Sequence, residues 1–112
     1  MDFVYASIAI FGITAIIGLY LLSFVLRNRE TSKPIAMIHG FFAFTGFVIL
    51  VLYCYLYPPG PIESLIVFII AAIGGGILFY KDINGNLPKS LAIIHGLLAI
   101  TGLILLIVFA WL

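Results

Sequence analysis

The sequence has few charged residues and a single cysteine, and each shortage excludes a class of protein. Charged residues make up 8% of the 112 residues and hydrophobic residues 65%, whereas a soluble domain has about 25% charged residues. Cys54 stands alone, which excludes an internal disulfide framework and a CxxC-type site. No segment is left for a soluble domain, so we expect one membrane domain over residues 1–112.

Four hydrophobic runs fill almost the whole chain. They cover residues 3–26, 34–57, 62–80 and 88–112, and each is close to the roughly 20 residues that cross a bilayer. Four isolated strands cannot close a barrel, so each run is predicted to be a helix. The first run is too long for a signal peptide and is expected to be the first helix. The short polar connections predict an all-α membrane protein, a four-transmembrane-helix up-down bundle.

The basic residues predict the orientation of this bundle. All five lie in or beside the first and third loops: Arg27, Arg29, Lys33, Lys81 and Lys89. By the positive-inside rule, loops 27–33 and 81–89 are expected to be cytoplasmic and both termini outside, in a multi-pass protein of the cell membrane.

The two histidines expose an internal repeat. His39 and His95 are 56 residues apart, and residues 57–112 align without a gap on residues 1–56. In this alignment Gly18 falls on Gly74, and both halves contain the pattern H-G-x-x-A-x-T-G. The halves are predicted to be two tandem helical hairpins of the same orientation, related by a pseudo-two-fold axis along the membrane normal. Such a parallel repeat places the two histidines at one depth, facing each other.

A facing pair of histidines suggests a metal centre. Helices 2 and 4 lie on a diagonal of the bundle, about 13 Å apart, and two imidazoles bridge that distance through one ion with bonds of about 2 Å. No Cys, Asp or Glu at that depth completes a zinc or copper site, whereas a haem iron needs two axial ligands. We therefore predict haem b ligated by His39 and His95. The alternative is structural: a neutral histidine bonded to a carbonyl or hydroxyl of a neighbouring helix.

Small residues are expected to make room for the porphyrin. On helices 1 and 3 they lie at the depth of the histidines, and on helices 2 and 4 they lie four and seven residues after each histidine, on the same face. The predicted haem-lining residues are Gly18, Gly74, Gly75, Gly76, Ala43, Gly46, Ala99 and Gly102, with Lys33 and Lys89 toward the propionates. Alternatively, the small residues mediate helix packing, and the lysines set the topology or meet lipid headgroups.

With "IHGFFAFTG" and "IIHGLLAITG" as its motif-like parts, the chain resembles the small four-helix membrane b-type cytochromes. The resemblance implies a haem held between histidines on two helices, with glycines of the flanking helices against the porphyrin. Members that carry electrons across a membrane usually stack two haems, whereas this chain has one histidine pair.

Two strong axial ligands leave no open iron position, which favours single-electron transfer over oxygen chemistry. The expected partners are the lipid bilayer, haem, and a quinone or a redox partner protein; no nucleic-acid partner is expected, and a homodimer is left open. Haem sensing, storage or delivery would leave much the same sequence. Two further alternatives are a small four-helix transporter, although helix 1 has no internal carboxylate, and a haem-free assembly subunit of a membrane complex.

Overall fold

The computed structural model describes residues 1–112 as four helices without a strand. They are α1 (Asp2–Leu26), α2 (Lys33–Leu56), α3 (Ile62–Ile83) and α4 (Lys89–Trp111). All four are long and apolar enough to span a membrane. The bundle measures 42 × 22 × 19 Å, and its length matches the roughly 40–45 Å of a bilayer with its headgroups. The predicted all-α four-helix membrane fold is confirmed.

The four helices form a square in which each packs against two neighbours. Helix α1 packs against α2 and α4, and α3 packs against the same two, so α1/α3 and α2/α4 are the diagonal pairs. Loops 27–32 and 84–88 lie at one end, here called the basic end; the termini and loop 57–61 lie at the other, the terminal end. Large apolar side chains such as Ile16, Phe41 and Leu97 face outward, as expected of surfaces that contact lipid.

Helices α1 and α3 end in the same kind of turn. A residue in the left-handed conformation follows each helix, Asn28 with φ 58° and Gly85 with φ 72°. The next amide then bonds back to a carbonyl five residues earlier, at 2.9 Å after α1 and 2.8 Å after α3, as in a Schellman motif. Helix α3 therefore continues to Ile83, beyond the predicted end at residue 80, because Gly85 and not Lys81 turns the chain.

The contacts of the two hairpins correspond with a shift of one residue. Ser7 donates to the carbonyl of Gly46, and Ser64 donates to the carbonyl of Gly102. The serines are 57 residues apart and the glycines 56. The shift arises because loop 84–88 is one residue shorter than loop 27–32. The ungapped alignment therefore matches α2 with α4 but is off by one residue between α1 and α3.

The interior consists of two apolar clusters separated by the histidines. Toward the terminal end, Phe11 and Phe68 stack across the α1/α3 diagonal with ring centroids 4.0 Å apart and planes 10° apart. The buried members of this cluster are Val4, Phe11, Leu50, Tyr53, Phe68 and Leu106. Toward the basic end, Val25, Leu78 and Ala92 form the second cluster. The layer that contains the two histidines lies between these clusters.

The stacked phenylalanines are expected to be the main packing contact between the two hairpins. Phe68→Ala should lower the stability of the bundle by about 3 kcal/mol, because it opens a cavity that the surrounding helices fill only in part. Thermal unfolding in detergent measures the loss. Phe41→Ala is the matched control, since that ring is 67% exposed and faces outward. Equal melting temperatures for the two variants would contradict the role given to the stack.

Candidate functional site

His39 of α2 and His95 of α4 face each other across the bundle. Their ring centroids are 6.3 Å apart and their planes are nearly perpendicular, at 80°. Both rings are half-buried, and they occupy the layer between the two apolar clusters. The structure thus brings together the two residues that the repeat predicts to be opposite.

Each imidazole is held by a backbone carbonyl of the other helix in its own hairpin. Nδ1 of His39 lies 3.0 Å from the oxygen of Thr14, and Nδ1 of His95 lies 2.8 Å from the oxygen of Ala71. A carbonyl oxygen only accepts, so Nδ1 is the protonated nitrogen and Nε2 of the neutral ring keeps its lone pair. Neither Nε2 forms a hydrogen bond with the protein. A metal-ligating histidine usually donates its other ring nitrogen to a carbonyl or carboxylate in this way, and the same bond is the one expected of a neutral histidine with a structural role.

Two glycines make room for these rings. A Cβ added at Gly18 would lie 2.9 Å from Cε1 of His39, and one added at Gly75 would lie 2.9 Å from Cε1 of His95. Each glycine follows by four residues the residue whose carbonyl accepts the imidazole, so both lie on one helix face. Gly18 and Gly75 therefore each form a seat, meaning a space on the helix surface into which the imidazole ring packs.

The other two glycines of the triplet have different surroundings. A Cβ at Gly74 would be at an ordinary 3.9 Å from Nδ1 of His95, and one at Gly76 would have nothing within 4 Å. Successive residues of a helix point about 100° apart, so three consecutive glycines cannot all face one ligand. The structurally equivalent residue to Gly18 is Gly75, whereas the ungapped alignment pairs Gly18 with Gly74.

The small residues predicted on α2 and α4 divide between two surroundings. A Cβ at Gly46 would lie 3.2 Å from ring atoms of Phe11, and one at Gly102 would lie 3.0 Å from Phe68. These two glycines thus receive the stacked phenylalanines, which agrees with the packing alternative. Ala43 and Ala99, one turn after the histidines, are half-buried.

The sequence analysis missed the pairs that brace the hairpins. Ser7 and Ser64 are almost fully buried, at 0% and 1% exposure, and each donates to the glycine carbonyl that lies beside the Phe11–Phe68 stack. The sequence does contain the pattern that identifies these pairs, since both serines and both phenylalanines recur at a spacing of 57. An alignment that allows a one-residue gap finds them.

The two predicted propionate partners also differ from each other. Lys33 forms an ion pair with Asp82, with Nζ and Oδ1 2.9 Å apart. Lys89 forms no ion pair, and both lysines line one cavity at the basic end. The positive charge expected at this end is therefore partly neutralised on one side.

No third metal-ligating side chain joins the histidines, since no group of three or more His, Cys, Asp or Glu residues lies together. The pair can supply two neutral nitrogen donors, in a bundle of four helices that are long and apolar enough to span a membrane. Comparison of the chain with protein-family models, curated proteins and solved structures gave no match. The assignment of a function therefore depends on the geometry of the site.

Proposed function

We propose that the chain is a membrane b-type haem protein that passes single electrons, with His39 and His95 as the two axial ligands of one haem. The separation of the rings carries this proposal. With metal–nitrogen bonds of about 2 Å and each ring centre about 1 Å behind its nitrogen, two axial imidazoles have centres about 6 Å apart. The observed centroid distance is 6.3 Å.

The donor set also suits haem better than a bare ion. Zinc and copper sites in proteins usually take three or four protein ligands, and here only two converge. Haem supplies four ligands of its own together with reversible one-electron chemistry, and two axial histidines leave no position for oxygen. The chain's share is to hold the two rings through the Thr14 and Ala71 carbonyls and to keep water away with the clusters above and below.

The expected setting is the cell membrane, with the basic end cytoplasmic and both termini outside, because the Lys and Arg residues collect at that end. A quinone or a partner reductase would exchange electrons with the haem.

A haem-free assembly subunit is the second candidate, and one observation favours it. Each histidine already ties its own hairpin together by a hydrogen bond, so the bundle has a structural use for both rings. In that case the free Nε2 atoms have no ligand to bind.

An absorption spectrum of detergent-purified protein from haem-replete cells separates the two candidates. We expect about one haem per chain, a sharp Soret band, and resolved α and β bands after dithionite reduction, as two strong axial ligands require. A folded, colourless preparation that also fails to take up added haemin would reject the haem proposal and favour the assembly subunit.

A further inference from the structure

A polar cavity of about 260 Å³ opens at the basic end, between loops 27–32 and 84–88. Its lining includes the cations Arg29, Lys33 and Lys89 and the carboxylates Glu30 and Asp82. Because these loops directly join membrane-spanning helices, the cavity lies at the level of the lipid headgroups.

One side of the cavity is internally neutralised. Lys33 contacts Asp82 at 2.9 Å, and Thr31 donates to the same carboxylate, whose side chain is only 12% exposed. This network joins the start of α2 to the end of α3.

The other side lacks the matching carboxylate. In the repeat, Lys89 is equivalent to Lys33, and Val25 is equivalent to Asp82 at the spacing of 57 found for α1 and α3. Val25 and Lys89 both line the cavity, and the Lys33–Asp82 contact is the one ion pair of the chain. Lys89 thus occupies the position of a paired lysine without a protein partner.

Arg29 adds a second cation of the same kind. It lines the cavity with Lys89, and its guanidinium forms neither a hydrogen bond nor an ion pair with the protein. Five basic and two acidic side chains lie at the basic end, a net charge of +3, whereas the terminal end has only the acidic Asp2 and Glu63. In the lining of the cavity itself three cations face two carboxylates, so the local excess of charge is also positive and favours anions.

We propose that this cavity binds the phosphate of an anionic phospholipid headgroup, with Lys89 and Arg29 as its cationic contacts. Guanidinium and ammonium groups are the usual protein partners of phosphate. A lipid is favoured over a soluble anion because the loops that line the cavity directly join the membrane-spanning helices, which places the cavity at the level of the headgroups. The proposal does not require haem, and it assigns Lys89 to a lipid phosphate instead of a haem propionate.

Native mass spectrometry of the full chain in detergent tests the site, with phosphatidylglycerol, phosphatidylcholine of the same acyl chains, and inorganic phosphate as probes. Phosphatidylglycerol is expected to bind at least about tenfold more tightly than phosphatidylcholine, and Lys89→Gln or Arg29→Gln should each weaken it about fivefold, since each cation near the surface contributes separately. Lys81→Gln is the matched control: it removes the same charge from the same end, but Lys81 does not line the cavity. Its effect should stay under about twofold.

Val25→Asp supplies the carboxylate that the repeat lacks, and it should pair with Lys89 and weaken phosphatidylglycerol binding. If this buried change prevents folding, Lys89→Gln and Arg29→Gln still test the site, since both side chains are exposed. Three results would each overturn the proposal: no preference for phosphatidylglycerol, equal losses in Lys81→Gln and Lys89→Gln, which would indicate diffuse attraction, or inorganic phosphate binding as tightly as the lipid.

Discussion

Replacing either His39 or His95 by alanine is expected to abolish the low-spin haem spectrum and to lower haem affinity at least about 100-fold, since loss of a partner that only orients a ligand already costs 10–100-fold. Each variant leaves a single imidazole, so the iron keeps one axial ligand at most. Haemin titration of the purified protein and the spectrum after dithionite reduction measure the two effects.

The control for this experiment must separate ligation from folding, because each imidazole also forms a hydrogen bond within its hairpin. Losing that bond costs about 1 kcal/mol, which a melting curve in detergent detects. Thr45→Ala and Thr101→Ala are the matched controls, since these side chains bond carbonyls of their own helices, and their spectra should not change. His39→Gly with added imidazole should regain the low-spin bands. Unchanged spectra in both histidine variants would refute the ligands.

The fold and the meeting of the histidines were predictable because each depends on a long-range pattern. Hydropathy alone defines four spans, and short loops leave only an up-down order. Duplication then places His39 and His95 at one depth on diagonal helices, where their rings are 6.3 Å apart. Neither conclusion requires knowledge of how a single side chain packs.

The register between α1 and α3 was not predictable from identities. Over residues 1–28, spacings of 56 and 57 each give seven identical pairs, so the alignment has no basis for choosing. Contacts decide it, because only the spacing of 57 places Ser64 and Gly75 in the surroundings of Ser7 and Gly18.

The residue that packs against each small residue was not predictable from the sequence either. The pattern predicts that Gly46 and Gly102 face inward, and they do, but Phe11 and Phe68 lie against them. Likewise, the Lys33–Asp82 pair joins the start of α2 to the end of α3, and Asp82 lies in α3 because the chain turns at Gly85 and not at Lys81. The side of a helix on which a residue lies depends on that helix alone, whereas the residue that it contacts depends on how two helices are rotated relative to each other.

The second large effect is expected at Gly18 and Gly75, against which the two imidazoles pack. Gly18→Ala and Gly75→Ala each place a methyl group 2.9 Å from Cε1 of a histidine, so the ring must move and the bond from Nδ1 to the carbonyl is lost. We expect haem affinity to fall about 10–100-fold, as for other outer-shell changes, and the bundle to lose about 1–3 kcal/mol through overpacking. Haemin titration and thermal unfolding measure these losses.

Gly76→Ala, at the adjacent residue, tests whether the glycines act by contacting the imidazole or by lining the porphyrin. A Cβ added at Gly76 would have nothing within 4 Å, and the same is true of Gly12, where Gly12→Ala is the control variant in α1. Alanine is a better helix former than glycine by about 1 kcal/mol, so both controls should be neutral or stabilising, with unchanged haem affinity. If Gly76→Ala weakened haem binding as much as Gly75→Ala, contact with the imidazole could not explain the loss and the role given to Gly75 would be wrong. If only Gly75→Ala weakened haem binding, Gly75 would be the one glycine of the triplet that positions the ligand, because only a Cβ at Gly75 would press against the ring of His95.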